Sequence, residues 1–181
     1  MNSRSSQTRK QLSKRLAAGS GGFVAETVAT LNRAEFAGFT FGSMPAAFIP
    51  ASVAGTQSNL IAGDLGLPVL ARFRLIIDYS HDRLYAVPYA DTVHAPFAKD
   101  RLGLSLSKED SGFAVDFVAP NSPAQAVGFK VGDKVALIDG KSAQAWTEAL
   151  FANLKYRVSG TNLVFTMHDG GIRQVKLSDY F

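Results

Sequence analysis

The sequence predicts a mainly β protein of two domains, and three observations support this fold class. The chain has 181 residues, 46% of them hydrophobic, which is enough for one large core or two small ones. It contains 13 Phe, 16 Gly and 7 Pro, a composition typical of short strands joined by turns. Short apolar runs recur along the chain, and a polar stretch over residues 89–100 separates them into two groups.

Several classes of site are excluded by composition. The chain has no Cys, so it has neither disulfides nor Cys-based zinc sites. Five of the 19 Lys and Arg residues lie in residues 1–16, which leaves 14 in the rest of the chain against 15 acidic residues. The rest of the chain is therefore nearly neutral and has no basic face for nucleic acid. No apolar run reaches the ~18–20 residues of a membrane span.

The basic N-terminal segment, residues 1–22, favours a solvated helix over residues 8–17, with Leu12 and Leu16 on one face. The alternative is an organellar transit peptide, because the segment is rich in Ser and Arg and has no acid. No apolar stretch typical of a secretory signal follows the basic residues. The compartment is unknown. We expect an extracytoplasmic location, periplasmic or secreted, if the full-length gene carries a signal.

The first group of elements covers residues 23–88. Gly19–Gly22 forms a flexible turn, and strands follow over residues 23–31 and 34–50. The stretch "NLIAGDLGLPVLARF" begins as a buried strand and turns through its glycines, and Pro68 is placed to open a short helix. Residues 74–88 read as a hairpin, and residues 89–100 as a linker.

The second group covers residues 101–181. Strands over 102–107 and 113–119 flank a turn, and Asn121-Ser122-Pro123 suits the start of a helix that Gly128 stops. An apolar strand then ends at Asp139-Gly140. Trp146, Leu150 and Leu154 recur every four residues and predict a helix over 143–154. Residues 161–177 read as a closing hairpin.

Residues 101–181 resemble a PDZ domain of the circularly permuted bacterial kind, a small β-barrel or sandwich with two helices. The stretches that carry the resemblance are "LGLSL", "FVAPNSPAQAVGFKVGDKVALIDGK", the following helix and the final hairpin. They cover about 80 residues in the order of the family. Such domains bind an apolar C-terminal tail or an extended segment as an added strand. The resemblance therefore implies a protein or peptide partner.

The PDZ resemblance also implies a peptide-binding site. Leu102-Gly103-Leu104 would present backbone N–H groups to the ligand carboxylate, and Leu104-Ser105-Leu106 would pair with the ligand strand. The residues expected on the far wall of the groove are those of the helix: Ala149, Leu150 and Asn153. In the alternative interpretation, Leu102 and Leu104 simply fill the core. We expect Trp146 to be a core anchor rather than a ligand contact.

Residues 23–88 resemble an incomplete retropepsin-like aspartic protease domain. Leu60-Ile61-Ala62-Gly63-Asp64-Leu65 follows the family's closing pattern of apolar strand, Gly-Asp-Leu, short helix and hairpin. "GSGGFVAE" lies where the glycine-rich flap of the family would be. These peptidases activate water between two aspartates, each in an Asp-Thr/Ser-Gly motif, and retropepsin-like chains contribute one aspartate each to a dimer.

No such motif precedes the flap, so we expect no catalytic residue in this chain and no cleavage by it. The one Asp-Ser-Gly, at residues 110–112, falls in a predicted PDZ turn. Asp64 is expected to be structural. His81, His94 and His168 are too scattered for a metal site, and no Gly-x-Ser-x-Gly motif is present. We predict no metal and no cofactor.

Three functions remain open from the sequence. The first is a PDZ protein of the retropepsin-like type that has lost its catalytic aspartate by truncation but still binds peptides. The alternative is a non-catalytic PDZ adaptor or scaffold. The third is an enzyme with an unrecognised site. A truncated β domain exposes a strand edge, so we expect dimerisation or poor solubility.

Overall fold

The computed structural model describes residues 12–19, 22–48 and 63–181. Within these residues the protein is mainly β with a few short helices, which confirms the mainly β part of the predicted fold class. The strands are β1 (Ser13–Gly19), β2 (Gly22–Leu31), β3 (Ala34–Phe36), β4 (Phe39–Phe41), β5 (Met44–Phe48), β6 (Phe73–Asp78), β7 (Arg83–Pro88), β8 (Leu104–Glu109), β9 (Gly112–Val118), β10 (Lys134–Ile138), β11 (Asn162–Met167) and β12 (Ile172–Lys176). The helices are α1 (Leu67–Leu70), α2 (Pro123–Ala126) and α3 (Glu148–Ala152), with 3₁₀ turns at Ala143–Ala145 and Leu154–Tyr156.

The chain divides into two compact units. One contains Thr30–Phe97, and the other contains the residues up to Ala29 together with Ala98–Phe181. Compactness does not prove independent folding. The predicted domain limits, which set residues 23–88, 89–100 and 101–181 apart, therefore stay predictions.

The Thr30–Phe97 unit has a core of aromatic rings. The ring of Phe73 contacts Phe36, Phe39 and Phe41 edge-on, at centroid distances of 5.3, 5.5 and 6.3 Å. Edge-on contacts of this kind add to the stabilisation from burial of the rings. Phe97, which lies in the predicted linker, is buried in the same core. The predicted short helix and hairpin are confirmed as α1 and the antiparallel pair β6–β7.

A buried arginine connects the segments of this unit. Arg72 is only 8% exposed, and its guanidinium lies 3.9 Å from the centroid of the Phe97 ring. It donates hydrogen bonds to four backbone carbonyls, those of Pro68 (2.8 Å), Thr92 (3.2 Å), Val93 (3.0 Å) and Ala95 (2.6 Å). The side chain thus provides hydrogen-bond donors both to a carbonyl of α1 and to carbonyls of the turn after β7.

The second unit contains a five-stranded sheet in the order β12-β11-β10-β9-β8. Its core is dense, because the side chains of Phe113, Val135, Leu163, Phe165 and Val175 are fully buried. The predicted closing hairpin is confirmed as β11–β12. Trp146, the single Trp of the chain, is 4% exposed and is the core anchor that the sequence predicted. Lys141 and Arg157 each lie over its ring at 5.6 Å.

The hairpin β1–β2 belongs to this unit as far as Ala29. It replaces the predicted helix over residues 8–17, which is wrong for residues 13–17, while residues 8–11 lie outside the described residues. Strand pairing explains the error, because Arg15 lies opposite Glu26 and its Nε donates to that carboxylate at 2.7 Å. Ser13 is buried and donates from Oγ to the carbonyl of Pro120 at 2.6 Å. These contacts outweigh the weak helical spacing of Leu12 and Leu16.

The continuous helix predicted over residues 143–154 is also wrong. Trp146 and Thr147 have extended backbone (ψ 119° and 154°), and they separate the first 3₁₀ turn from α3. Thr147 instead caps α3, because its hydroxyl accepts from the N–H of Leu150 at 3.3 Å. None of the helices in the described residues is long and apolar enough to cross a membrane.

We expect Arg72→Met to lower the free energy of unfolding of the Thr30–Phe97 unit by about 2–4 kcal/mol, because four carbonyls lose their hydrogen bond from the guanidinium. Amide hydrogen exchange in β6 and β7 of the full chain measures this loss. Arg74→Met on exposed β6 is the matched control and should change stability by less than about 0.5 kcal/mol. Equal protection in the two variants would contradict the role of Arg72.

We expect the ion pair between Asp133 and Arg173 to make stability depend on pH in acid. Burial alone would raise the pKa of Asp133, but hydrogen bonds from Arg173 and the Lys130 N–H hold that pKa below its usual value. An unfolded Asp has a pKa of ~3.9, so the stabilisation is complete above about pH 5 and is lost as the pH falls through 3.9 towards the folded pKa.

Urea unfolding of the wild type and of Asp133→Asn between pH 7 and pH 2.5 tests this effect. The difference between their free energies of unfolding should shrink steadily below about pH 4. A difference that stays constant across this range would show that the Asp133 carboxylate contributes nothing through its charge.

Candidate peptide-binding groove

Strand β8 is the terminal strand of the five-stranded sheet. It pairs with β9 on one side, from Leu104 opposite Val118 to Glu109 opposite Gly112. In the part of the chain that the structure describes, no strand pairs with its other edge. The N–H and C=O groups on that edge can therefore accept an added strand. Pairing of Leu104–Leu106 with a ligand strand stays a prediction.

A cavity of about 390 Å³ lies beside this edge, between β8 and the segment that begins with α3. Its lining residues are Leu102, Leu104, Ser105, Leu106, Phe151, Ala152, Leu154, Lys155 and Tyr156. The lining is mostly apolar, and Lys155 is its one charged side chain. An apolar side chain next to an extended backbone fits such a surface.

The helix side of the groove is held by packing and by one lysine. The ring of Phe151 stacks on that of Phe113 in the sheet, with centroids 5.3 Å apart and planes 18° from parallel. At the far end of β8, Lys108 Nζ donates to the carbonyl of Trp146 (2.6 Å) and to the Glu148 carboxylate (2.7 Å). These bonds connect the strand to the start of α3 and so fix the width of the groove at that end.

The loop before β8 needs glycine at its centre. Gly103 has φ +75°, in the left-handed region, and a Cβ at this position would come within 2.1 Å of the Ser122 Cβ. The carbonyls of Leu102 and Gly103 accept from the N–H groups of Ala124 (3.1 Å) and Ala119 (2.8 Å). The loop is therefore bound through one carbonyl to α2 and through the other to the residue that follows β9.

The amide side of the same loop faces Asp100. One carboxylate oxygen, Oδ1, accepts from the N–H groups of Leu102 (2.9 Å) and Gly103 (2.8 Å). The other oxygen lies 3.9 Å from Lys155 Nζ, and the Tyr180 hydroxyl also bonds to this carboxylate. Burial raises the pKa of Asp100 despite these favourable contacts, and burial beside Asp100 raises the pKa of Tyr180.

The structure brings most of the strand-side residues from the sequence prediction to one place. Leu102, Leu104, Ser105 and Leu106 line the cavity, and Gly103 lies in the loop between them. Leu102 and Leu104 also belong to the core, and their contact with a ligand stays a prediction. On the helix side, the exposed residues Ala149, Leu150 and Asn153 lie outside the cavity lining. Their contact with a peptide stays a prediction.

Sequence reasoning missed the lining residues Phe151, Ala152, Lys155 and Tyr156, as well as Asp100. Thr147 followed by Glu148 is a typical helix start, and this pattern could have indicated that α3 begins at Glu148. An Asp two residues before a turn was the signal for Asp100, because Asp accepts from backbone N–H groups that follow it.

Other polar groups singled out in the sequence lie in exposed turns. Residues 110 and 111 form the β8–β9 turn, as expected. His81 contacts Asp78 and Ser80 in the exposed β6–β7 turn, with both on the same ring nitrogen. No group of three metal-ligating side chains occurs among the residues that the structure describes.

We expect Gly103→Ala to destabilise the unit that contains the groove by about 3 kcal/mol or more, since the new methyl group overlaps Ser122 and the backbone is strained. Gly128→Ala is the control, because Gly128 has a similar φ of +86° but nothing within 4 Å of its Cβ position. That variant should cost only about 1 kcal/mol. Thermal unfolding followed by Trp146 fluorescence compares the two, and equal losses would contradict the close approach at Gly103.

Comparison with known proteins assigns the groove to a domain type. Residues 92–163 match the PDZ domain family. Human syntenin-1 is 32% identical over 69 residues, which cover 38% of this chain and 23% of syntenin-1. Mouse syntenin-2 is 30% identical over 71 residues, which cover 39% of this chain and 24% of syntenin-2. The match thus spans about a quarter of the length of these curated relatives. The chain contains a PDZ domain, and the groove between β8 and the α3 segment lies in it.

Proposed function

We propose that this chain is a non-catalytic PDZ adaptor that binds extended peptide segments in the groove along β8. The observation that carries the proposal is an open strand edge directly beside an apolar cavity in a PDZ domain. An extended peptide can add to this edge through main-chain hydrogen bonds, and one of its apolar side chains can fill the cavity. The partner class is therefore a protein or a peptide.

The two walls of the groove have different tasks in this proposal. Leu104, Ser105 and Leu106 supply the backbone edge for the added strand. Phe151, Ala152 and Tyr156 form the opposite wall and limit the size of the ligand side chain. A strand ligand must lose conformational freedom when it binds, so we expect dissociation constants on the order of micromolar.

A second candidate is a relative of the aspartic peptidases that has lost catalysis. What supports it is the short helix α1 followed by the hairpin β6–β7, the order in which the retropepsin-like pattern ends; the predicted apolar strand at Leu60-Ile61-Ala62 lies outside the described residues. We place the adaptor first because the comparisons match the PDZ domain, whereas the peptidase resemblance depends on one short segment. The bacterial, permuted type of the domain and the dimer stay predictions.

We expect Ala152→Trp to weaken peptide binding by about tenfold or more, because the indole would fill the cavity from its exposed wall without entering the core. Fluorescence polarisation of the full chain with pooled, labelled hexapeptides that contain one Val, Leu, Ile or Phe measures the effect. Unchanged affinity in Ala152→Trp would count against the groove.

The matched variant Ala149→Trp carries the same change on the same helix but outside the cavity lining. We expect it to weaken binding by less than about threefold. A loss as large as that of Ala152→Trp would move the helix wall to Ala149, Leu150 and Asn153, as the sequence resemblance implied. A peptidase assay on the wild type distinguishes a non-catalytic adaptor from an enzyme, because turnover of a peptide substrate would contradict the adaptor.

A further inference from the structure

The loop that opens the groove already holds a carboxylate of its own chain. Asp100 Oδ1 accepts from two consecutive backbone N–H groups, those of Leu102 and Gly103, at 2.9 and 2.8 Å. They are two of the three donors that the resemblance of Leu102-Gly103-Leu104 to a PDZ loop implies for the end of a peptide. A ligand carboxylate would have to displace Asp100 to reach them.

The carboxylate of Asp100 is held from several sides. Lys155 Nζ lies 3.9 Å from Oδ2, and the hydroxyl of buried Tyr180 also bonds to the group. Arg101, the next residue, is fixed by its own bonds to Asp179 (2.6 Å) and to the carbonyl of Arg157 (3.2 Å). Asp100 and Arg101, the first two residues of the Asp100–Gly103 turn, are thus both anchored, so displacement of Asp100 would break several contacts.

The charges at this end of the groove also oppose the binding of a ligand carboxylate. Lys155 is the one charged side chain in the cavity lining, and it is already close to Asp100. A second carboxylate at the loop would meet a like charge, with no further cation in the lining to balance it. A neutral, continuing peptide chain meets no such penalty.

We propose that Asp100 is a specificity-determining residue, a built-in carboxylate that occupies the Leu102-Gly103 amides and makes the groove select extended internal segments over C-terminal tails. This inference rests on the proposed function and specifies its ligand. The partner is an apolar extended stretch whose chain continues, or ends in a neutral group, at the loop.

Paired peptides test the inference directly. The probes are labelled hexapeptide pools that end in Val, Leu, Ile or Phe, each made once as the free acid and once as the C-terminal amide, titrated against the full chain. The wild type should bind the amide at least as tightly as the acid. Asp100→Ala frees both N–H groups, and we expect it to bind the acid about tenfold more tightly than the amide.

Two further variants distinguish the charge of Asp100 from its occupation of the N–H groups, and control for misfolding of Asp100→Ala. Asp100→Asn retains an oxygen acceptor for both N–H groups but removes the charge, so its preference should shift towards the acid by about threefold relative to the wild type. If Asp100→Ala does not fold, the acid-to-amide preference of Asp100→Asn tests the inference in its place. Asp110→Ala removes an exposed carboxylate in the β8–β9 turn, at the other end of β8 from the Asp100–Gly103 turn, and its preference should equal that of the wild type.

The outcomes separate this inference from the proposed function. A wild type that prefers the acid by tenfold or more overturns the inference and leaves the groove in place. An unchanged acid-to-amide ratio in a folded Asp100→Ala, or in Asp100→Asn if the former does not fold, also overturns it. If neither pool binds to the wild type or to any variant, the proposed function fails and the inference fails with it.

Discussion

The contact between Gly103 and Ser122 is the constraint on which the groove depends. With φ +75° and no side chain, Gly103 lies directly against the Ser122 Cβ, and Ser122 in turn caps α2 through the N–H of Gln125. Beside this contact, Leu102 is buried in the core and its carbonyl accepts from Ala124 of α2, while the Gly103 carbonyl accepts from Ala119 after β9. The N–H groups of Leu102 and Gly103 are left to the Asp100 carboxylate, and β8 begins at the next residue. A single missing methyl group thus sets the position of both the loop and the strand edge.

Local chemistry explains which parts of the fold were predictable from the sequence. The cap at Ser122, Pro123 at the first helical position and the left-handed stop at Gly128 all form as the sequence predicts, because each depends only on its neighbours. The helix predicted from Leu12 and Leu16 fails because pairing with β2 is not visible in local spacing. The break of the 143–154 helix at Thr147 was readable in principle, but the four-residue recurrence of Trp146, Leu150 and Leu154 indicated continuity. Leu150 is in fact 55% exposed.

The candidate site was also predictable from the sequence only in part. Its strand side followed from a motif, so Leu102, Leu104, Ser105 and Leu106 could be named in advance. Its helix side depends on the register of α3, which local spacing does not fix: the sequence predicts Ala149, Leu150 and Asn153, whereas Phe151 and Ala152 line the cavity. The contact of Asp100 with Lys155 joins residues 55 positions apart in sequence, and that with Tyr180 joins residues 80 apart. No local pattern could have predicted that these three side chains meet.

Trp146 gives the chain a built-in optical reporter for one unit alone. It is the single tryptophan, it lies in the core beside the groove, and the Thr30–Phe97 unit contains none. Excitation near the red edge of protein absorption will therefore follow the melting of the PDZ core, while far-ultraviolet dichroism follows the whole chain. The two signals will coincide on heating when the units melt together and separate when they do not, so the cooperativity between the units can be measured without any label.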